Sequence, residues 1–90
     1  MIPNPNRTPV LLQDPVALQI QLKAARAMLA LDQKDVAAAI DVNLMTIRRV
    51  ERCSPNETPR IDTLKRLMDF YVANGIEFDA EGWVRLRPIS

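Results

Sequence analysis

The side chains of this 90-residue chain that could do chemistry are almost all charged. Histidine is absent and cysteine occurs once, as Cys53, so imidazole acid–base catalysis, metal clusters and internal disulfides lack their usual residues. The composition therefore argues against an enzyme and implies neither a metal nor a cofactor. What remains is recognition by charge. Twelve Lys and Arg against eleven Asp and Glu leave a net charge of +1, so the overall field is weak and any affinity for a polyanion depends on where the charges lie. Between residues 43 and 66 six basic residues (Arg48, Arg49, Arg52, Arg60, Lys65, Arg66) face three acids (Glu51, Glu57, Asp62), a local balance of +3. The adjacent Arg48 and Arg49 carry planar guanidinium forks that can donate to two acceptors at once, such as O6 and N7 of a guanine, or grip a phosphate.

These side chains need elements to hold them. Hydrophobic residues make up 48% and charged residues 26% of the chain, the balance of one globular domain with a modest core. Pro3, Pro5, Pro9 and Pro15 with Asn4 and Asn6 predict an extended arm over residues 1–13, whose Val10-Leu11-Leu12 could tack its end to the core. The arm has no apolar signal-peptide region, and no apolar run approaches the roughly 20 residues that span a bilayer, so the expected location is the cytoplasm, with Cys53 a reduced thiol. Asp14 before Pro15 is a helix start, and Ile20, Ala24, Ala27, Met28 and Leu31 recur at helical spacing, predicting a helix over 15–29. Asp32 can cap a short helix over 33–39 with the stripe Val36, Ala37 and Ile40, and Asn43 a third over 44–51 with Leu44, Ile47 and Val50. Loop formers fill 53–60. Ile61, Leu64, Leu67, Met68, Tyr71 and Val72 then predict a helix over 61–74, stopped by Asn74-Gly75. Beyond Gly75 the pattern changes to two short β-favouring runs around Asp79-Ala80-Glu81-Gly82, which reads as a hairpin within 76–90.

Residues 33–52 combine a helix, a short turn and a second helix. Such a pair needs a small residue where the helices cross, apolar residues facing the rest of the domain and a turn residue tolerating positive φ. Ala37 is the small residue, Val36, Ile40, Val42, Ile47 and Val50 are the apolar ones, and Asp41 stands in the turn. With these residues the chain resembles the Cro/cI-type (Xre-type) helix-turn-helix regulators over about 17–74. Arg26-Ala-Met-Leu29, Asp32-Gln-Lys-Asp-Val-Ala-Ala-Ala-Ile40, Asp41-Val-Asn-Leu-Met-Thr-Ile-Arg-Arg-Val-Glu-Arg52 and Thr63-Leu-Lys-Arg-Leu67 stand where that family has its typical blocks. Gly75-Ile-Glu-Phe78 and Val84-Arg-Leu-Arg87 are similar to the tails of some bacterial members. One departure is Asp41, where the family usually has glycine; Asp tolerates the left-handed region better than most residues, at a cost of about 1 kcal/mol.

The resemblance implies a mainly α fold, a compact lambda-repressor-like bundle of four or five helices over 14–75, with the hairpin appended. It also implies double-stranded DNA as partner, with helix 44–51 in the major groove and its exposed positions at base edges. Those positions are Asn43, Leu44, Met45, Thr46, Arg48 and Arg49. Arg49 has the best claim to a guanine, Arg48 could share it or take a phosphate, and Leu44 and Met45 either meet thymine methyls or tuck into the protein. Gln33 at a helix start is the family's phosphate clamp, unless here it is simply solvated. Arg52, Arg60, Lys65 and Arg66 could line the backbone, or, for Lys65 and Arg66, form a solvated face. Arg26 and Glu51 match a structural ion pair. A homodimer reading half-sites is the expected state, with Ile76, Phe78, Trp83, Val84 and Leu86 as interface candidates; the alternative is a hairpin folded back on its own core. The expected role is a bacterial or phage transcriptional regulator. An antitoxin or restriction–modification controller has the same build, and a protein-binding adaptor on the same scaffold is the rival from another class.

Overall fold

The computed structural model describes residues 15–54, 56–79 and 81–87, so the predicted arm 1–13 and the Asp14 cap lie outside the described residues. Four helices are found among the described residues: α1 (Pro15–Met28), α2 (Gln33–Ala39), α3 (Leu44–Glu51) and α4 (Ile61–Ala73). Strands β1 (Ile76–Phe78) and β2 (Val84–Leu86) follow as an antiparallel hairpin. The chain is thus mainly helical, and the expected bounds of α1 and α4 each shorten by one residue at the C-terminus.

The helices start and stop for identifiable reasons. At α2 the Asp35 carboxylate accepts the Asp32 N–H at 3.3 Å, half of a capping box. At α3 the Asn43 Oδ1 accepts the Met45 N–H at 2.8 Å, satisfying one of the orphan donors of the first turn. The stops share one design. Ala30, Asp41, Cys53 and Gly75, with φ of 55°, 56°, 54° and 96°, each stand just past the end of α1, α2, α3 and α4 in turn. Behind the first two, the following N–H reaches back around the turn, Leu31 to the Arg26 carbonyl at 3.2 Å and Val42 to the Ala37 carbonyl at 2.9 Å, which is a Schellman closure. Only the last of the four stops uses glycine, the residue that adopts this conformation without steric cost.

The core is built from Leu18, Leu22 and Ala25 of α1, Val36, Ala37 and Ile40 at α2, Ile47 and Val50 of α3, Leu64, Leu67 and Tyr71 of α4, and Ile76 of β1. Each large apolar side chain buried here contributes about 1.5–3 kcal/mol. In α1 the buried face differs from the expected one. Ile20 is 57% and Met28 43% exposed, Ala27 faces solvent, and the buried side carries Leu18, Leu22 and Ala25 together with Gln19 and Gln21. Two apolar stripes share this helix at helical spacing, and the two glutamines mask the one that is used. They are tolerated inside because distant carbonyls receive them: Gln19 Nε2 donates to the Val50 carbonyl at 2.9 Å, and Gln21 Nε2 to the Trp83 carbonyl at 3.1 Å.

The Gln21 bond also fastens the hairpin to α1. Register pairs Ile76 with Leu86, Glu77 with Arg85 and Phe78 with Val84, so the two apolar pairs share one face of the ribbon and the charged pair the other. Ile76 is fully buried, and Phe78 and Val84 pack against the core. Outside, Glu77 accepts from Arg85 at 2.9 Å and Arg87 at 3.1 Å; hydrogen bonds from Arg85 and then Arg87 hold its carboxyl below the usual range. The Arg85 guanidinium lies 5.2 Å from the Trp83 ring centre. Of the five interface candidates, Ile76, Phe78 and Val84 are therefore engaged in closing the chain's own core, while Trp83 and Leu86, each 47% exposed, remain at the surface. Among the described residues no helix is long and apolar enough to cross a membrane.

Candidate nucleic-acid interface

The basic cluster is organised by α3. Ile47 and Val50 anchor its inner side in the core, and the helical repeat then turns Met45, Arg48 and Arg49 outward. Met45 is 46% exposed, and the Arg48 guanidinium lies 3.8 Å from its sulfur. Asn43 is exposed at the start of the helix, with its Oδ1 engaged as the cap and its amide nitrogen on the same short side chain. Leu44 and Thr46 depart from the expectation of an exposed row. Both are half-buried, and Leu44 packs against the core, because the first turn of α3 leans on the domain as well as its middle. Leu44 is thus in part used for packing, and Met45 is the exposed apolar side chain of this helix.

Arg49 does not stand alone. Its Nε is 3.6 Å from Glu57, which also pairs with Arg52 at 2.9 Å. Arg60 pairs with Asp62 at 3.2 Å. The three arginines of these pairs are each at least half exposed, and such surface pairs are worth about 0–1 kcal/mol. The local balance of +3 is thus real but partly compensated, since each acid of the 43–66 stretch sits against an arginine. Sequence reading gave Glu57 no such role, and no periodic signal could have, because it lies in a loop. Between α3 and the start of α4, a cleft of about 320 Å³ is lined by Thr46, Arg49, Thr58, Arg60 and Thr63 among others. Lys65 is exposed on α4. Arg66 is turned away from this cleft and donates to the Ile40 carbonyl at the end of α2, which ties α4 to the α2–α3 connection.

Gln33 begins α2 on the other flank of α3. Its Nε2 donates to Glu51 Oε1 at 3.1 Å. Glu51 is itself buried, 6% exposed, and clasped by Arg26 through Nε at 2.7 Å and Nη2 at 2.8 Å. The remaining Arg26 Nη1 donates to the Leu31 carbonyl at 2.7 Å. The hydrogen bond to Glu51 raises the Arg26 pKa further above its ordinary value, so the guanidinium of this fork-to-fork pair stays charged. One network thereby joins the end of α1, the start of α2 and the end of α3.

The described residues hold no group of His, Cys, Asp and Glu side chains able to bind a metal. No protein-family model, curated protein or solved structure matches the chain.

Proposed function

We propose that this protein is a sequence-specific DNA-binding transcriptional regulator of the Cro/cI type, acting in the cytoplasm as a homodimer on a (pseudo)palindromic operator. In this reading α2 and α3 form the helix-turn-helix, and α3 enters the major groove. The observation that carries the reading is the two-sidedness of α3. Its inner residues are locked in the core, while Met45, Arg48 and Arg49 project to solvent from a helix whose start is capped and whose flanks carry Gln33 on one side and Arg52 and Arg60 on the other. A groove about 12 Å wide accepts such a helix, and guanidinium forks and a thioether are suited to guanine edges and thymine methyls respectively.

Selection of bound duplexes from a random pool tests this reading. The expected product is a two-fold symmetric sequence with half-sites about one helical turn apart. On that sequence Arg49→Ala is expected to cost about 1–3 kcal/mol and to blur one base pair. Recovery of no duplex above background would overturn the proposal, and equal loss on every sequence would move Arg49 from base edge to phosphate.

A further inference from the structure

We propose that the outer face of α1 is a homodimer interface whose partner is the same face of a second copy, packed antiparallel about a two-fold axis at Ala24. The inference rests on the homodimer of the reading above and names the surface that joins it. A helix at a protein surface normally buries one apolar stripe and turns charged residues outward. On α1 the outward side is apolar as well. Beyond the buried Leu18, Leu22 and Ala25, the helix exposes Ile20 at 57%, Met28 at 43% and Ala27, with Ala24 half-buried between them. Its only charged side chains are Lys23 and Arg26. Arg26 is turned to Glu51, so Lys23 is the one charge that α1 exposes. On α4, by contrast, the exposed Ile61 and Val72 are separated by the exposed Lys65 and Asp69. Contiguous exposed apolar surface of the α1 kind marks a contact site.

The order of side-chain sizes identifies what covers this face. Ile20, Ala24 and Met28 follow one another at i, i+4 spacing, so they stand in a row along the helix surface. A large group lies at each end and a methyl in the middle. Turned end over end, this row is complementary to itself, as a two-fold contact requires. Ile20 of each copy meets Met28 of the other, and Ala24 meets Ala24, where small side chains let two helices approach closely. The Lys23 stems flank the contact and keep their ammonium groups in water. One pair of 14-residue helices buries less than the roughly 1,200–2,000 Å² of a stable interface. The dimer is therefore expected to dissociate at micromolar concentrations and to be reinforced on a duplex that holds two half-sites.

Sedimentation equilibrium without DNA, from about 1 to about 500 μM protein, tests the interface. The wild type is expected to dimerise, and Ile20→Glu to raise the dissociation constant about 20-fold or more with the helical circular dichroism unchanged. Leu86→Glu, on the hairpin, is expected to change it less than about 2-fold. Cross-linking at the axis gives a second measurement that places no charge in the contact. In a Cys53→Ser background, oxidised Ala24→Cys is expected to form covalent dimers, and Ala73→Cys, exposed at the end of α4, to stay monomeric. A wild type that is monomeric throughout, a dimer that survives Ile20→Glu, a dimer lost in Leu86→Glu, or equal cross-linking at both positions would overturn the proposal. A dimer joined by α1 that retains no duplex refutes the DNA-binding reading alone, whereas a retained two-fold duplex with a dimer indifferent to Ile20→Glu refutes the α1 interface alone.

Discussion

Ala27 and Ala30 stand three residues apart, both exposed, one within the last turn of α1 and the other just past its end. Ala30 has φ of 55°, a conformation that costs an L-residue about 1–2 kcal/mol and costs glycine almost nothing. Glycine in turn loses more freedom on folding, by about 0.5–1 kcal/mol. Ala30→Gly is therefore expected to stabilise the protein by about 0.5–1 kcal/mol, which for a domain of this size is a rise in Tm of about 2–8 °C. Ala27→Gly makes the same chemical change at a helical φ and is expected to destabilise by roughly 0.5–1 kcal/mol. Neither alanine is buried, so the opposite signs come from backbone conformation. Urea denaturation followed by circular dichroism at the helical band, with thermal melts alongside, measures both variants. Movement of both midpoints in the same direction would refute the reasoning, as would a loss of stability in Ala30→Gly.

Two further outcomes are expected. The Tyr71 ring is fully buried, and its hydroxyl has no hydrogen-bond partner among the described residues, so Tyr71→Phe should hold stability or raise it by about 1 kcal/mol at neutral pH, and a clear loss in urea midpoint would show the hydroxyl to be satisfied. Burial pushes this phenol well above its ordinary pKa; its stabilisation is complete below the unfolded value near 10 and is lost as pH rises beyond it, a decline that the Phe variant should lack in midpoints measured from pH 7 to 11. Glu57→Gln frees Arg49 and Arg52 from their shared acid and should tighten duplex binding about 2- to 5-fold at low salt, with the gain shrinking as salt rises. Weaker binding at every salt concentration would mean that Glu57 orients the two arginines more than it neutralises them.

The +1 charge of the chain illustrates how far composition carries the argument. Resolved along the sequence it becomes a basic stretch over 43–66. Resolved in space it becomes narrower again, because Glu57 and Asp62 lie against Arg49, Arg52 and Arg60. Arg48, Lys65 and Arg66 are then the exposed cations of that stretch without a carboxylate partner among the described residues, Arg66 donating instead to the Ile40 carbonyl. On the proposed DNA-binding reading, such a compensated surface makes affinity depend on base contacts and dimerisation more than on a broad electrostatic grip.

The sequence by itself determined where elements start and stop. The Asn43 cap, the apolar positions of α2 and α3, the Leu64, Leu67 and Tyr71 side of α4, the positive φ at Asp41 and the change of period after Gly75 are set by interactions within a few residues, whereas Ile61 and Val72 of the expected α4 stripe are 48% and 46% exposed, because they lie at the edges of that stripe. Only the tertiary structure decided which side of α1 is inside, that Leu44 packs inward, and that the hairpin closes the core through Ile76 and the Gln21 bond. The physical reason is distance along the chain. A glutamine reads as a surface residue until a carbonyl 31 or 62 residues away accepts its amide, and an acid in a loop reads as neutral to the site until folding lays it beside two arginines. Burial of polar groups depends on partners that only the folded chain brings together.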